Sequence, residues 1–278
     1  MSFKINGNIG ALNANMHSNI NSLGVNKSLE SLASGSALKS AASDSAGLAI
    51  ANEFSALVKG MGQSIMNSND SIGLIQVADG ALEEYTNILE NVRDLSIQAS
   101  NDTLSDGDRK IIQRQIDSLM SSADNIAKTT KYNGINLLDG TGGSSGDGTF
   151  TTQSGANKGD THSLSIKDAQ TASILGGASI DVTTQANASL SIDTIDAALK
   201  NIGDIRSDLG AAQNQLMSSI ENTSVTQINI ASAQSQIRDI DFAAESANFS
   251  KLNILAQTGA FAQTQANAAQ AGVINLLK

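Results

Sequence analysis

No proline interrupts the 278 residues of this chain, and that absence governs what it can fold into more than any other feature. Proline removes a backbone donor and clashes with the preceding helical turn. A chain without it is free to run helices well past the globular mean of about 11 to 12 residues. The apolar residues fit that freedom. Ile9, Leu12, Met16, Ile20 and Leu23 recur at steps of three and four, marking one narrow face of an N-terminal helix whose other faces are Asn, Ser and His. After the Ser/Gly-rich stretch around Gly35, Asp44 offers an N-cap. From there Phe54, Leu57, Met61, Ile65, Ile72, Ile75, Leu82, Tyr85, Leu89, Val92 and Leu95 keep helical spacing to about Ala99. A helix of that length extends roughly 80 Å at about 1.5 Å per residue.

Further on, SDGDRKIIQRQI predicts a second, antiparallel helix. Ser105 can cap it, Asp106 and Asp108 suit its N-terminus, and Ile112, Ile116, Leu119, Ala123 and Ile126 form its face. Residues 140–190 turn Gly-, Ser- and Thr-rich, and the short pieces TFTT and SIDV predict hairpins. Helical spacing returns at Ile192, Ile195, Leu199, Ile202, Leu209, Ala212, Leu216, Ile220, Ile228 and Ile237. A last helix carries Leu252, Leu255, Gly259, Ala262, Ala266, Ala269, Val273 and Leu277. The predicted fold is mainly α: a long antiparallel helical rod or coiled coil of paired N- and C-terminal arms, with a small β-hairpin region at the tip. Its segments are an N-terminal arm (1–43), N-terminal rod helices (44–139), a short variable β/loop region (140–190), a C-terminal rod helix (191–245) and a C-terminal arm (246–278).

Composition narrows the function. Aromatic residues are only 3% of the chain and Trp is absent, so Ala, Ile and Leu suit close helix packing rather than a ligand pocket. The absence of Cys excludes disulfides, thiolate catalysis and sulfur-ligated metals. The net charge is −10, yet residues 1–43 and 246–278 hold five Lys against one Glu, so the intervening stretch carries −14. An acidic middle repels phosphate, and nucleic-acid binding is not expected. No run of about 18 apolar residues suggests membrane insertion, and no cleavable leader is expected. His17 and His162 lack partner spacing such as HExxH and read as polar surface histidines, so no metal, cofactor or catalytic site is expected. TGGSSGDG lacks the strand-to-helix setting of a phosphate loop, and DTLSDGDRK lacks EF-hand ligand alternation. The first reads as a turn, the second as helix capping.

The terminal stripes are narrow, and the last is rich in Ala and Gly. At roughly 25 cal/mol per Å² such a helix pair hardly offsets its ordering entropy. Copies of the same chain are the economical source of further neighbours.

Several stretches resemble bacterial flagellin. They include SLESLASGSALKSAASDSAGLAIANEF (28–54), IMNSNDSIGLIQVADGALEE (65–84), NVRDLSIQASN (91–101) and YNGINLLDG (132–140). Toward the C-terminus they include IRSDLGAAQN (205–214), AQSQIRDIDFAAE (233–245) and QANAAQAGVINLL (265–277). The resemblance implies a structural subunit, not an enzyme, which polymerises into the extracellular flagellar filament and leaves the cell unfolded through the flagellar type III apparatus. It implies terminal helices that pair in the filament's inner core. Packing there is expected from Ile9, Leu12, Met16, Ile20, Leu23, Leu252, Leu255, Ala262, Ala266, Val273 and Leu277. Implied partners are other copies of the chain, an export chaperone, the filament cap and the hook-junction proteins.

Asp44, Arg206, Asp208, Arg238, Asp239 and Asp241 are subunit-interface candidates. Where the family commonly has LRINSAKDDAAG, this chain has SALKSAASDSAG, so Ala37, Ala42 and Ser43 remove charges available there for intersubunit ion pairs. Ala268 stands where the family often has Pro, which leaves the last helix free to run unbroken. A host Toll-like receptor recognises many flagellins at a motif resembling RVRELAVQ. This chain keeps Val92, Arg93 and Leu95 but has Asn91, and Gln115 replaces a Glu on the adjacent helix. Loss of that guanidinium predicts recognition weakened by about 1 to 3 kcal/mol. The rival readings are a hook-filament junction protein and a secreted rod-like effector or adhesin.

Overall fold

The computed structural model describes residues 8–276, with side-chain surroundings for 8–272. The chain forms two compact units. One takes the described residues up to Ala56 and from Asn229 onward, the other Leu57–Ile228.

In the first unit, α1 (Ile9–Ser34) packs against α6 (Phe242–Leu276). Their direction is antiparallel: Asn8 Nδ2 donates to the Ala266 carbonyl over 3.1 Å, Ser18 lies beside Gly259, and Gly24 faces Leu252. Asn8 has a second task, because its Oδ1 accepts from Ala11 N–H at 2.9 Å and caps α1. The helix stops at Gly35, whose φ of 67° is the left-handed C-terminal conformation glycine adopts without strain. There Ser36 bridges to Asp239, Ala37 N–H donates to the Arg238 carbonyl over 2.8 Å, and Ile240 N–H donates back to Gly35 over 3.2 Å. Two carboxylates then start helices. Asp44 accepts from Ala46 and Gly47 at 3.0 Å ahead of α2 (Ser45–Ala99), and Asp241 accepts from Ala243 and Ala244 at 3.0 Å ahead of α6. Helix α6 runs unbroken through Ala268.

The second unit packs α2 against α3 (Asp106–Thr129) and α5 (Gln185–Arg238). Contacts at Val58–Gln227, Asp79–Arg206 and Arg93–Asp196 run in opposite sequence directions, so α2 and α5 are antiparallel. The core takes Ile75, Leu82, Tyr85, Leu89 and Val92 from α2, Ile112, Ile116 and Ala123 from α3, and Ile195, Ile202, Leu209 and Leu216 from α5. Leu119 and Ile126 pack at its edge, which places the whole predicted α3 face inward. A capping box starts α3: the Ser105 hydroxyl accepts from Asp108 N–H at 3.2 Å, while the Asp108 carboxylate accepts from Ser105 N–H.

Two hairpins complete this unit. Strands β1 (Lys131–Tyr132) and β2 (Ile135–Asn136) turn through Asn133 and Gly134, with φ of 49° and 81°. The Asn-Gly pair is the strongest short hairpin signal a sequence carries. Strands β3 (Thr149–Gln153) and β4 (Thr161–Ser165) form the second hairpin, with Thr149 opposite Ser165. A one-turn helix, α4 (Thr171–Ile174), follows.

Three sequence expectations change here. SIDV is not a strand. The Gln113 amide takes its place in the ladder, donating to the Ile180 carbonyl over 3.0 Å and accepting from Val182 N–H at 2.7 Å, while Ile180 and Val182 are buried. Helix α5 begins at Gln185, ahead of Ile192, because the Thr184 hydroxyl and carbonyl accept from Asn187 and Ala188. His162 is half-buried rather than fully at the surface: its Nε2 is buried without a hydrogen-bond partner in β4, opposite Thr152. His17 is exposed as expected.

Candidate assembly surface

Helix α1 has two distinct faces. The face against α6 consists of Ala11, Ala14, Ser18, Asn21, Val25, Ser28 and Leu32, which are buried or half-buried and alternate steps of three and four. On α6 the matching seam is Phe249, Leu252, Ala256, Gly259, Gln263, Ala266 and Gln270. Alternating three and four is the 3.5-residue repeat of a coiled coil, here filled mostly by small and polar side chains. Such residues let backbones approach closely. A Cβ built on Gly24 would stand 3.3 Å from both Leu252 methyl carbons.

The large apolar stripe points elsewhere. Ile9, Leu12, Met16, Ile20 and Leu23 are all exposed, Leu12 to 70%. Helix α6 likewise exposes Phe242, Ile254, Leu255 and Phe261, the last to 70%. Of the residues expected to pack in the inner core, Leu252 and Ala266 lie in the intrachain seam, and Leu255 and Ala262 lie outside it. Val273 and Leu277 fall outside the residues whose side chains are described. Burying one large aliphatic side chain is worth about 1.5–3 kcal/mol. The single chain leaves that gain unrealised along most of α1.

Near the end of the pair, a cleft of about 350 Å³ is lined by Gly24, Ser28, Ser31, Ala37, Glu245 and Leu252, among others. Ser28 Oγ is buried there without a hydrogen-bond partner. Lys39, from the turn after α1, approaches Glu30 at 3.6 Å.

The charged interface candidates carry contacts within the chain. Arg206 reaches Asp79 with Nε at 2.7 Å and Nη2 at 3.4 Å, and Nη2 lies 3.8 Å from Glu83. The Asp79 hydrogen bond, opposed by partial burial, raises the Arg206 pKa further. Asp208 pairs with Lys167 at 3.3 Å. The Ser235 hydroxyl donates to the Asp239 carboxylate over 2.6 Å, Arg238 offers its carbonyl to Ala37, and Asp44 and Asp241 are the helix caps described above. Of the positions matching the receptor motif, Asn91 and Gln115 are exposed and Leu95 is half-buried. Arg93 is tied to Asp196 at 2.6 Å, and its hydrogen bond holds that carboxylate below its ordinary pKa.

Sequence reasoning read the Ala- and Gly-rich character of α6 but missed the matching small-residue face of α1, and it missed Gln113 and Arg109. Arg109 is buried and clasps the turn between α2 and α3, donating to the carbonyls of Ala99 and Asn101 at 2.8 Å each. A 3.5-residue repeat of Ala, Ser, Gly and Asn was the available signal for the seam. The other two residues satisfy backbone groups distant in sequence and carry no local signature.

Among the described residues, no helix is long and apolar enough to cross a membrane, and no three metal-ligating side chains converge. The bacterial flagellin N-terminal helical region matches residues 5–142, and the bacterial flagellin C-terminal helical region matches residues 192–277. A flagellin of Halalkalibacterium halodurans is 37% identical over 275 residues, covering 99% of each chain. The flagellar filament 33 kDa core protein of Treponema phagedenis is 33% identical over 285 residues, again covering 99% of each. Among solved structures, the crystal structure of Bacillus cereus flagellin is similar with a TM-score of 0.51 and 30% identity, covering 61% of this chain and 94% of that one. With both terminal helical regions matched and relatives aligned from end to end, the chain belongs to the bacterial flagellin family.

Proposed function

We propose that this chain is the structural subunit of a bacterial flagellar filament, the extracellular polymer used for motility, and that its function is assembly rather than catalysis. The observation that carries this reading is the division of α1: a small, polar seam inward and five large apolar side chains outward. A second copy of the chain is the occupant of that outer stripe. The family supports this choice, and the stripe continues the helix pair already formed within the chain. Polymerisation then buries what folding leaves exposed, so order in the arms is coupled to growth of the polymer.

In this reading residues 1–43 and 246–278 are the inner arms. Residues 44–139 and 191–245 form the surrounding rod, and 140–190 form the variable region. Val273 and Leu277 extend the inner packing, and Arg238 and Asp239 contact a neighbouring copy. Export runs through the flagellar type III apparatus with an export chaperone, and the filament cap and hook-junction proteins are the other partners. Recognition by a host Toll-like receptor is weakened by Asn91 and Gln115. Monomer as potent as a flagellin carrying Arg and Glu there would contradict that last assignment.

Electron microscopy of purified protein after seeded polymerisation tests the main reading. Long helical filaments are expected. Leu12→Gln with Ile20→Gln should abolish them while leaving the Leu57–Ile228 unit folded by circular dichroism. Filaments formed normally by that variant would overturn the assignment of the stripe.

A further inference from the structure

Among the described methionines, Met16 alone lies in the outer stripe of α1, flanked by Leu12 and Ile20, and it is 51% exposed. It lines an open groove together with Leu12, Asn15, Asn19 and Ile20. The other described methionines are differently placed: Met61 is half-buried, Met120 packs at the edge of the second unit's core, and Met66 and Met217 are exposed outside the helix pair. Oxidation of a thioether converts a flexible apolar side chain into a polar one, which disrupts the apolar surfaces that use it.

We infer that Met16 is an oxidation site that switches off self-assembly of the free subunit. The inference rests on the filament reading above. The oxidant is a peroxide. The Met16 sulfur lone pair attacks one peroxide oxygen, the O–O bond breaks, and the second oxygen leaves as water after taking up the peroxide proton. Sulfur loses two electrons and peroxide gains them. The resulting sulfoxide oxygen puts a strong polar acceptor between the exposed side chains of Leu12 and Ile20, in the middle of an apolar stripe that a second copy must cover. Beside it, Asn19 Nδ2 donates to Asn15 Oδ1 over 2.9 Å, a bond within α1 that commits one of the neighbouring amide hydrogens. Once copies have assembled, the same burial shields the sulfur. Free subunits are therefore sensitive and finished filaments resistant.

The test compares hydrogen-peroxide-treated wild type with Met16→Leu treated identically, using peptide mass mapping to assign each sulfoxide and light scattering to follow seeded growth. Wild type oxidised at Met16 should show a critical concentration raised roughly tenfold or more. Met16→Leu should grow normally despite sulfoxides at Met66 and Met217, and methionine sulfoxide reductases should restore the wild type. Preassembled filaments should acquire sulfoxide at Met16 far more slowly than monomer. Normal growth of Met16-oxidised wild type would overturn the inference, as would equal inhibition of Met16→Leu. If Met16→Leu does not assemble at all, recovery of oxidised wild type on reductase treatment in step with loss of the Met16 sulfoxide decides the matter; no recovery then overturns it. Failure of untreated wild type to polymerise would overturn the filament reading itself, a distinguishable result.

Discussion

The guanidinium Nε of Arg109 donates to the carbonyl of Ala99 over 2.8 Å, so a side chain from α3 closes the last turn of α2. Nη2 donates to Asn101 and Nη1 to Asp106, leaving the buried cation paired on three sides. Helix ends leave carbonyls without intrahelical partners, and burial makes that vacancy costly. Arg109→Met keeps the aliphatic bulk but leaves the Ala99 carbonyl without its side-chain donor and the Asn101 carbonyl with only the 3.3 Å bond from Leu104 N–H. Urea unfolding of the variant should show a loss of about 2–4 kcal/mol.

The Gln113 amide serves Ile180 and Val182 as a surrogate strand. Gln113→Ala should cost about 1–3 kcal/mol by the same unfolding measurement. Hydrogen exchange should locate the loss, with the Val182 amide exchanging much faster than the core amides of α2. Unchanged protection at Val182 would contradict this role.

Gly24, which borders the seam against Leu252, and Gly259, which lies in it, differ in available space. A Cβ at 259 would meet Ser18 at 3.6 Å, an ordinary contact. Gly259→Ala should therefore raise the thermal stability of assembled filaments, with a helix-propensity gain of about 0.5–1 kcal/mol. Gly24→Ile pushes a branched side chain into Leu252 and should separate the helices, preventing filament growth under seeding. Vigorous growth of Gly24→Ile would show that the close approach is dispensable.

Asp181 is held below the usual carboxylate pKa by hydrogen bonds from Thr183, first backbone and then side chain, and by Asn187, against a smaller opposing effect of burial. A depressed folded pKa means the stability it adds is present above the unfolded value of about 3.9 and is lost as pH falls through the lower folded value. The urea midpoint should fall as pH drops below about 4. Asp181→Ala should reduce that acid sensitivity while lowering the midpoint at neutral pH.

Much of the second unit was legible because its signals are local. SDGDRK carries its capping box within four residues, and Ile112, Ile116 and Ala123 face inward as their spacing says. The Asn133–Gly134 turn is equally local. SIDV was misread because its backbone partner is a glutamine 67 residues away, and β propensity does not distinguish a strand from a side-chain-bonded segment. The arms divide differently. Their helical state could be read from spacing, but the facing of α1 could not, since an apolar stripe is ordinarily assumed to turn toward its own chain.

By itself, then, the amino-acid order determined long helices, their caps, their return path and the family to which they belong, because periodicity and capping act over one or two turns. Only the tertiary structure decided which α1 face meets α6. Close backbone approach at Gly24 and Gly259 admits a thin seam of Ala, Ser and Asn, and it turns Leu12, Met16 and Ile20 outward.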